Sequence, residues 1–235
     1  MSSENNSLRN KYILVTGANQ GTGFEIAKEF ILSGALVAVH HYQDEAGARK
    51  LLQYAKPGQC TFFQADFSQE KEVSKLWQEF ILWSKEKIDV LVNNAAAFGK
   101  SDEDWNMVFQ VNTKAPFLLM NYAFSVMSKQ KSGRIINMSS ISVKSAGSLG
   151  VARYSASKAA LEALTQLFAR TGREDNVFVN AVRPGVTDSP LHHKLAECDP
   201  LFATDKFIST KEIADAVVTL ASGNSTGSIV EVIGE

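Results

Sequence analysis

The sequence predicts an α/β fold, a doubly wound parallel sheet with helices on both faces. Two observations predict it: short, continuously apolar segments recur along the chain, and amphipathic segments of helical period separate them. Strands buried on both faces read as continuous apolar runs, and their alternation with helices is typical of a parallel sheet. Right-handed crossovers then wind the chain in both directions. Ligands of such sheets bind beyond the carboxyl ends of the strands, so functional residues are expected there.

Seven apolar runs are predicted as strands because each is short and bounded by turn residues or by a helical pattern. The third run is the shortest of them. In chain order the predicted strands are Tyr12–Val15, Leu36–Val39, Thr61–Phe63, Ile88–Val92, Arg134–Met138, Val177–Val182 and Ile229–Ile233.

The segments between these strands are predicted as helices, because their apolar residues recur at a spacing of three and four. The first helix ends at Gly34, the second ends before Pro57, and Pro116 is a candidate kink in the longest one. In chain order the predicted helices contain Phe24–Ile31, Asp44–Tyr54, Val73–Ile81, Asp104–Lys129, Tyr154–Arg170 and Ile213–Leu220.

The size and composition are those of an ordinary globular protein. The chain has 235 residues, of which 45% are hydrophobic and 21% are charged, and its net charge is −1. This length predicts one domain, residues 11–235, after a flexible N-terminal segment of residues 1–10. The charge gives no indication of a nucleic-acid or membrane surface, and no apolar run approaches the ~20 residues that cross a bilayer. The few cysteines and histidines predict no metal site, and with no signal-peptide pattern we expect a cytoplasmic protein.

A glycine-rich turn, Thr16–Gly23, follows the first predicted strand. Glycine lets the backbone approach a pyrophosphate closely, and the helix that follows offers free N–H groups and the positive end of its dipole. The spacing of Gly17, Gly21 and Gly23 differs from the G-x-G-x-x-G fingerprint. Taken alone, the turn is compatible with a dinucleotide site and equally with a plain strand-to-helix connection.

Tyr154 and Lys158 are four residues apart in a predicted helix and therefore share one face. A phenol with a pKa near ~10 is a poor acid or base at neutral pH. A neighbouring ammonium favours the phenolate and lowers this pKa, so the pair can exchange a proton with a carbonyl oxygen. An isolated Tyr-x-x-x-Lys is more often a solvated helix face, but the surrounding motifs favour the catalytic interpretation.

Six motifs occur in a fixed order along the chain: Thr16-Gly-x-x-x-Gly-x-Gly23, Asn93-Asn94-Ala95, Asn112, Ser140, Tyr154-x-x-x-Lys158 and Arg183-Pro184-Gly185. Together they resemble the short-chain dehydrogenase/reductase family over roughly residues 10–234. The resemblance implies a Rossmann-type fold. It also implies an oxidoreductase that transfers a hydride between a nicotinamide and a carbonyl or alcohol.

The resemblance implies a role for each matching residue. Ser140 would hold the carbonyl oxygen of the substrate, and Tyr154 would exchange its proton. Lys158 would lower the pKa of the tyrosine and bind the nicotinamide ribose, and Asn112 would hold a water that relays protons. Asp66 would accept a hydrogen bond from the adenine, although a cap on the next helix explains it equally well. The other implied dinucleotide contacts are Thr16, Gly17, Asn19, Gln20, Gly21, Thr22, Gly23, His41, Phe67, Asn93, Asn94, Ala95, Pro184, Gly185, Thr187 and Ser189.

The residue at the end of the second strand bears on the choice of cofactor. Family members that prefer NAD carry an acid there, which holds the adenosine ribose hydroxyls; this chain has His41. The missing acid removes a repulsion of a 2′-phosphate, which favours NADP(H) over NAD(H). The basic residue that NADP-preferring members carry in the glycine turn is Gln20 here, so NAD(H) stays an alternative.

Residues 188–207 are predicted to form an irregular, partly apolar loop over the substrate, because Pro190 and Pro200 interrupt regular structure. The substrate would be a ketone or a 3-oxoacyl thioester. Asn93–Phe98 and the His-Tyr pair after the second strand are similar to pteridine reductases, so a pterin is an alternative.

Two further alternatives concern function and partners. A non-catalytic dinucleotide sensor on the same fold is the rival hypothesis, and the presence of the whole Asn-Ser-Tyr-Lys set favours the enzyme.

The resemblance implies a homodimer or homotetramer that assembles through two long central helices. A cationic patch near two helix ends makes an acyl carrier protein a candidate partner, although a solvated helix end explains the patch better. Its residues are Lys129, Lys131, Arg170 and Arg173.

Overall fold

Seven parallel strands form one sheet in the order β3-β2-β1-β4-β5-β6-β7 in the computed structural model of the chain. The structure describes residues 7–99, 101–145, 148–198 and 206–233. The chain runs from β1 outward to β3, returns to the centre at β4 and continues to the other edge, which confirms the predicted doubly wound sheet. The strands are β1 Tyr12–Val15, β2 Leu36–His41, β3 Cys60–Gln64, β4 Val90–Asn93, β5 Gly133–Met138, β6 Val177–Pro184 and β7 Ile229–Val232.

Helices cover both faces of the sheet and enclose two hydrophobic cores. In β1, Ile13 and Val15 belong to the core on one face of the sheet, whereas Leu14 belongs to the core on the other face. Successive side chains of a strand point to opposite faces, so a strand covered on both faces is apolar throughout. The helices are α1 Gly21–Leu32, α2 Glu45–Arg49, α3 Glu70–Trp83, α4 Trp105–Phe109, α5 Ala115–Gln130, α6 Ser142–Ser145, α7 Ala152–Gly172, α8 Pro190–Cys198 and α9 Thr210–Ser222.

The longest predicted helix, Asp104–Lys129, is divided by a π-helical turn. The turn spans Gln110–Lys114 between α4 and α5, and Pro116 lies in the first turn of α5. A proline has no N–H to donate to the preceding turn, and the first turn of a helix does not require that donor. The proline therefore begins a new helix instead of kinking a continuous one. The π turn carries Asn112.

The predicted irregular loop over residues 188–207 is wrong for its first half, which contains α8. Pro190 is the first residue of this helix, and the Ser189 hydroxyl oxygen accepts a hydrogen bond from the backbone N–H of His192 at 3.1 Å. A serine followed by a proline is a cap and a favoured first helical residue, so the proline marks a start here and not a break. Residues 199–205, including Pro200, lie outside the described residues.

Leu8, in the segment predicted to be flexible, is buried in the core under α1, and residues 1–6 lie outside the described residues. In the described part of the chain, none of the helices is long and apolar enough to cross a membrane. The same residues contain no cluster of three or more potential metal ligands.

Candidate active site

Two adjoining cavities lie beyond the carboxyl ends of the strands. The large cleft, of about 620 Å³, is bounded by the glycine turn and by the segments that follow β2, β3 and β4. The inner cavity, of about 110 Å³, lies between the ends of β5 and β6, the start of α7 and α8. The side chains or backbone of Thr22, Asn94 and Ala96 line both, so the two cavities share a wall.

Thr16 and Asn94 fasten the glycine turn to the segment after β4. The Thr16 hydroxyl oxygen accepts hydrogen bonds from the backbone N–H groups of Asn94 and Ala95, both at 3.0 Å. The Asn94 side-chain amide donates to the carbonyl oxygens of Thr16 and Gly17, both at 2.9 Å. A Cβ atom at position 23 would lie 2.3 Å from the Asn94 amide nitrogen, so this contact between two loops requires Gly23.

The first N–H groups of α1 open into the large cleft. Gln20, Gly21 and Thr22 line the cleft, and the Gln20 side chain at the start of the helix makes no capping hydrogen bond. The first N–H groups of a helix lack intrahelical partners, and the helix dipole adds positive potential at this end. This end of a 12-residue helix fits the pyrophosphate of a dinucleotide.

His40 lies on the wall of the large cleft as a neutral ring. Its Nδ1 accepts a hydrogen bond from the Gly17 N–H at 3.1 Å, its Nε2 lies 3.0 Å from the Ala65 carbonyl oxygen, and the ring stacks on Phe67 at 3.9 Å. Burial lowers the pKa of His40 to about 4. The ring therefore carries its proton on Nε2 at neutral pH and contributes no positive charge to the cleft.

Asp44 brings a negative charge to the end of the cleft beside the glycine turn. Its carboxylate accepts hydrogen bonds from the Gly47 N–H at 2.8 Å and from the Asn19 side-chain amide at 3.4 Å. The bond from Gly47 holds the pKa of Asp44 below its usual value, so the group is ionised. Asp66 also lines the cleft, and Lys194 of α8 is its only Lys or Arg among the described residues.

Ser140, Tyr154 and Lys158 converge on the inner cavity. Ser140 is near enough to the Tyr154 hydroxyl to lower its pKa by hydrogen bonding. The Lys158 Nζ donates to the Met138 carbonyl oxygen at 2.7 Å and lies 5.8 Å from the centre of the Tyr154 ring. A hydroxyl pair beside an ammonium is suited to hold a carbonyl oxygen and to supply it with a proton.

The predicted direction of the Tyr154 pKa is wrong in this structure. Burial raises the pKa of Tyr154 to about 12, and the hydrogen bond with Ser140 opposes this rise only in part. Burial also lowers the pKa of Lys158 to about 8. Both shifts have the same cause, because a dry environment disfavours the phenolate and the ammonium alike. At neutral pH the pair is therefore a phenol beside an ammonium, the form that donates a proton.

Asn112 does not line either cavity. It is fully buried in the π turn, where its Oδ1 accepts a hydrogen bond from the Ala97 N–H at 2.7 Å. Its Nδ2 donates to the Ala97 carbonyl oxygen at 2.9 Å and to the Ser157 hydroxyl at 3.0 Å. Both amide protons are thus occupied by the protein, and the side chain connects the segment after β4 to α7.

Most of the predicted site residues line one of the two cavities, but four do not. Thr16 holds the glycine turn through its hydrogen bonds to Asn94 and Ala95 and does not line the cleft. Asn93 donates a hydrogen bond to the Asn137 side chain at 2.8 Å inside the sheet, and the buried His41 is not part of the cleft wall. Asn112 is the fourth. The sequence patterns gave no role to several other lining residues at the end of β2, after it and on α8, although the Ser-Pro helix start at position 189 could have indicated the last group. They are His40, Asp44, His192 and Lys194.

A family model described as short chain dehydrogenase matches residues 11–199. The chain belongs to the short-chain dehydrogenase/reductase family. A solved structure named as a short chain dehydrogenase/reductase family protein superposes on it with a TM-score of 0.83 at 27% identity, over 97% of both chains.

Two curated relatives of this short-chain dehydrogenase/reductase have named activities. The acetoacetyl-CoA reductase of Acinetobacter sp. (strain RA3849) is 34% identical in an alignment of 226 positions that covers 90% of this chain and 90% of the relative. The 3-oxoacyl-(acyl-carrier-protein) reductase FabG of Chlamydia trachomatis serovar D is 32% identical in an alignment of 243 positions, gaps included, that covers 97% of both proteins. Membership of the family establishes an oxidoreductase of the NAD(P)(H)-binding type.

Proposed function

We propose that this protein is a reductase that transfers a hydride from NAD(P)H to the ketone of a small 3-oxoacyl compound. The observation that carries the proposal is the convergence of Ser140, Tyr154 and Lys158 on the inner cavity, beside a cleft with an open helix N-terminus. Two relatives whose names include acetoacetyl-CoA and 3-oxoacyl groups support the substrate class.

The chain's own residues hold the ketone and supply its proton. When bound, the nicotinamide supplies the hydride; Pro184, Gly185 and Thr187, which line the inner cavity, are the residues that would hold this end of the dinucleotide. Ser140 and Tyr154 donate hydrogen bonds to the ketone oxygen. Tyr154 then gives its proton to that oxygen as negative charge develops there, and the ammonium of Lys158 stabilises the resulting phenolate.

Asn112 supports the return of the proton through its backbone. Its side-chain amide is occupied by Ala97 and Ser157, so a relay water finds no free amide proton there. A π turn offsets the backbone hydrogen bonds of a helix and is frequent at functional sites. We therefore assign the predicted water site to the main chain of the π turn and not to the Asn112 side chain.

The cofactor we propose is NAD(H), a change from the preference for NADP(H) that position 41 suggested. The ionised Asp44 carboxylate lies beside the glycine turn, and the His40 ring is neutral. Among the described residues that line the cleft, the one Lys or Arg is Lys194, which lies on α8. A 2′-phosphate next to a carboxylate is repelled, whereas ribose hydroxyls donate hydrogen bonds to it. Replacing Asp44 by Ser should raise the affinity for NADPH by about tenfold and lower the affinity for NADH, because the ribose hydroxyls lose their carboxylate acceptor.

A pterin substrate is the second candidate. The Phe98 ring packs edge-on against the Tyr154 ring with a centroid distance of 6.1 Å, so the catalytic tyrosine has an aromatic neighbour. Flat heteroaromatic substrates gain from such neighbours. Aliphatic side chains of Ile141, Val186 and Leu195 line part of the inner cavity, and they suit a short acyl chain.

We propose a homo-oligomer that assembles through α5 and α7, and we retain the predicted cytoplasmic location. Phe117 on α5 and Leu167 on α7 are 36% and 52% exposed, and apolar exposure on two neighbouring helices is typical of an interface. Light scattering of wild type and of Leu167→Glu would measure the assembly.

The cationic patch considered for an acyl carrier protein is partly neutralised. Its Lys131 is paired with Asp175 at 2.5 Å, which weakens the attraction of the patch for an acidic partner. We therefore propose thioesters of small carriers as substrates.

One assay panel tests the proposed function. NADH and NADPH binding is titrated by fluorescence, and turnover is measured with acetoacetyl-CoA, simple ketones and a dihydropterin. We expect turnover to be highest with acetoacetyl-CoA and NADH. Dinucleotide binding without turnover of any carbonyl compound would instead support the sensor, and turnover of the dihydropterin alone would support the second candidate.

A further inference from the structure

A chain of ionic hydrogen bonds, here called the Glu162 network, runs from the end of β5 to the surface. The Ser139 hydroxyl donates to Glu162 Oε1 at 2.5 Å, and Arg183 donates through Nε to the same oxygen at 3.0 Å and through Nη2 to Oε2 at 2.8 Å. Arg183 Nη1 also donates to Glu231 Oε1 at 2.5 Å, and Glu231 Oε2 accepts from the Lys144 ammonium at 3.0 Å. None of the side chains just named for the Glu162 network takes part in the mechanism proposed above.

Ser139 connects the network to the groups on the inner cavity. Its backbone lies between Met138, whose carbonyl oxygen accepts the hydrogen bond of Lys158, and Ser140. Its buried hydroxyl is held by Glu162. A displacement of Ser139 would therefore move the anchor of Lys158 and the hydroxyl of Ser140 together.

Glu162 and Arg183 connect the end of β5, at Ser139, to α7 and to β6. Glu162 is 8% exposed and follows Lys158 by one helical turn. Arg183 directly precedes Pro184, which lines the inner cavity. A single carboxylate thus holds three elements of the cavity, the end of β5, α7 and β6, at fixed separations.

The energetics of buried ion pairs favour a geometric role for this carboxylate. Removing two charges from water costs about as much as their attraction returns, and well-packed apolar replacements are often no less stable. Hydrogen bonds to charged groups are nevertheless short and directional, so they restrict the positions of the groups they join. The network therefore constrains position more than it adds stability.

We propose that Ser139 and Glu162 are positioning residues, which hold Ser140 and Lys158 in the arrangement that the reaction requires. The proposal rests on the reductase function proposed above. It assigns Glu162 no contact with substrate or dinucleotide. A displacement near 1 Å at a catalytic group reduces turnover by up to about a hundredfold, so the expected effect is on kcat and not on KM.

The first test replaces the Ser139 hydroxyl. Ser139→Ala should lower kcat by about tenfold or more, with KM and the dinucleotide dissociation constant within about twofold and the melting temperature nearly unchanged. Ser139→Thr, which restores a hydroxyl, should recover most of the lost kcat. Ser33→Ala is the matched control, because the Ser33 hydroxyl donates to the Glu29 carbonyl oxygen at the far end of α1. A Ser139→Ala protein with wild-type kcat would overturn the proposal.

The second test is independent of turnover and so separates this proposal from the proposed function. The pKa of Lys158, which burial sets to about 8 in the structure, is followed by ¹³C NMR at its Cε in wild type and Ser139→Ala. A loosened Met138 anchor admits water, so the pKa should rise by roughly half a unit or more toward the ordinary lysine value. If wild type reduces no carbonyl compound but this shift occurs, positioning stands and the reductase proposal fails. An unchanged titration in an inactive protein would overturn the positioning role.

Discussion

The Met138 carbonyl oxygen accepts a hydrogen bond from the Lys158 ammonium at 2.7 Å. This bond fixes the lysine of α7 against the end of β5, two residues before Ser140 in the chain. The same strand end thus determines the position of the ammonium and of the serine hydroxyl. The relationship explains why a buried lysine keeps a defined direction in a cavity lined mainly by uncharged groups.

The first prediction concerns the Tyr154 hydroxyl. Tyr154→Phe should lower kcat by about 10²–10⁴-fold, because the ketone oxygen loses its proton donor. Dinucleotide binding, measured by fluorescence, should stay within about twofold. Tyr122→Phe is the matched control, since the Tyr122 hydroxyl pairs with the Ser74 hydroxyl at 3.1 Å between α3 and α5. Near-normal turnover of Tyr154→Phe would exclude the proposed mechanism.

The second prediction is a fall in reductase activity above pH 8. Burial sets the pKa of Lys158 to about 8 and that of Tyr154 to about 12. As the pH rises through about 8, Lys158 loses its positive charge while Tyr154 stays protonated, so the phenolate formed during the reaction loses its stabilising neighbour. The pH profile of kcat/KM should then fall about tenfold per pH unit, as for one ionisation.

Lys158→Arg provides the check on this assignment, because an arginine stays charged over the whole range. Whatever its absolute rate, its profile should lack the fall near pH 8. A wild-type profile that is flat to pH 10 would show that Lys158 keeps its charge and that the prediction is wrong.

The third prediction is a loss of stability in mild acid that originates at His40. Its folded-state pKa of about 4 is below the ordinary value of 6.5, so the unfolded chain binds the proton first as the pH falls. The contribution of this ring to the free energy of unfolding is complete above about pH 6.5 and is lost as the pH falls through about 4. Its size is about 3 kcal/mol by linkage.

Urea unfolding between pH 7 and pH 4 measures this effect. His40→Gln has no titrating ring and should show a smaller loss of stability over that range than wild type. His193→Gln is the control, because His193 is exposed and pairs with the exposed Asp188 carboxylate. Equal slopes for wild type and His40→Gln would contradict the assignment.

The fourth prediction concerns Gly23 in the first turn of α1. Glycine to alanine inside a helix usually adds stability, by up to about 1 kcal/mol. Here the new Cβ would lie 2.3 Å from both the Asn94 amide nitrogen and the Gly17 carbonyl oxygen, so the sign should reverse. Gly23→Ala should have a lower melting temperature and a dinucleotide affinity reduced by about tenfold or more. Unchanged affinity would show that the Asn94 contact does not shape the cleft.

The strands of this fold are encoded by local sequence, whereas other features depend on contacts between remote segments. All seven predicted strands occur, because each apolar run is defined by its own residues and by the turn residues beside it. The predicted helix through Asp104–Lys129 and the loop after β6 were wrong in detail, since a proline at a helix start and one at a break look alike in sequence. At Pro190 the preceding Ser189 was the available signal of a helix start, whereas Pro116 follows an alanine.

The sequence by itself determined the doubly wound sheet and the shared helix face of Tyr154 and Lys158, because strand and helix periods act between near neighbours. Only the tertiary structure decided which side chains reach the cavities and how their pKa values shift. His40 and not His41 lies on the cleft wall, Tyr154 is made less acidic by burial, and Ser139 finds Glu162 at 23 residues' distance along the chain. These outcomes depend on segments that are remote in sequence, which exclude water and bring charges together only when the chain folds.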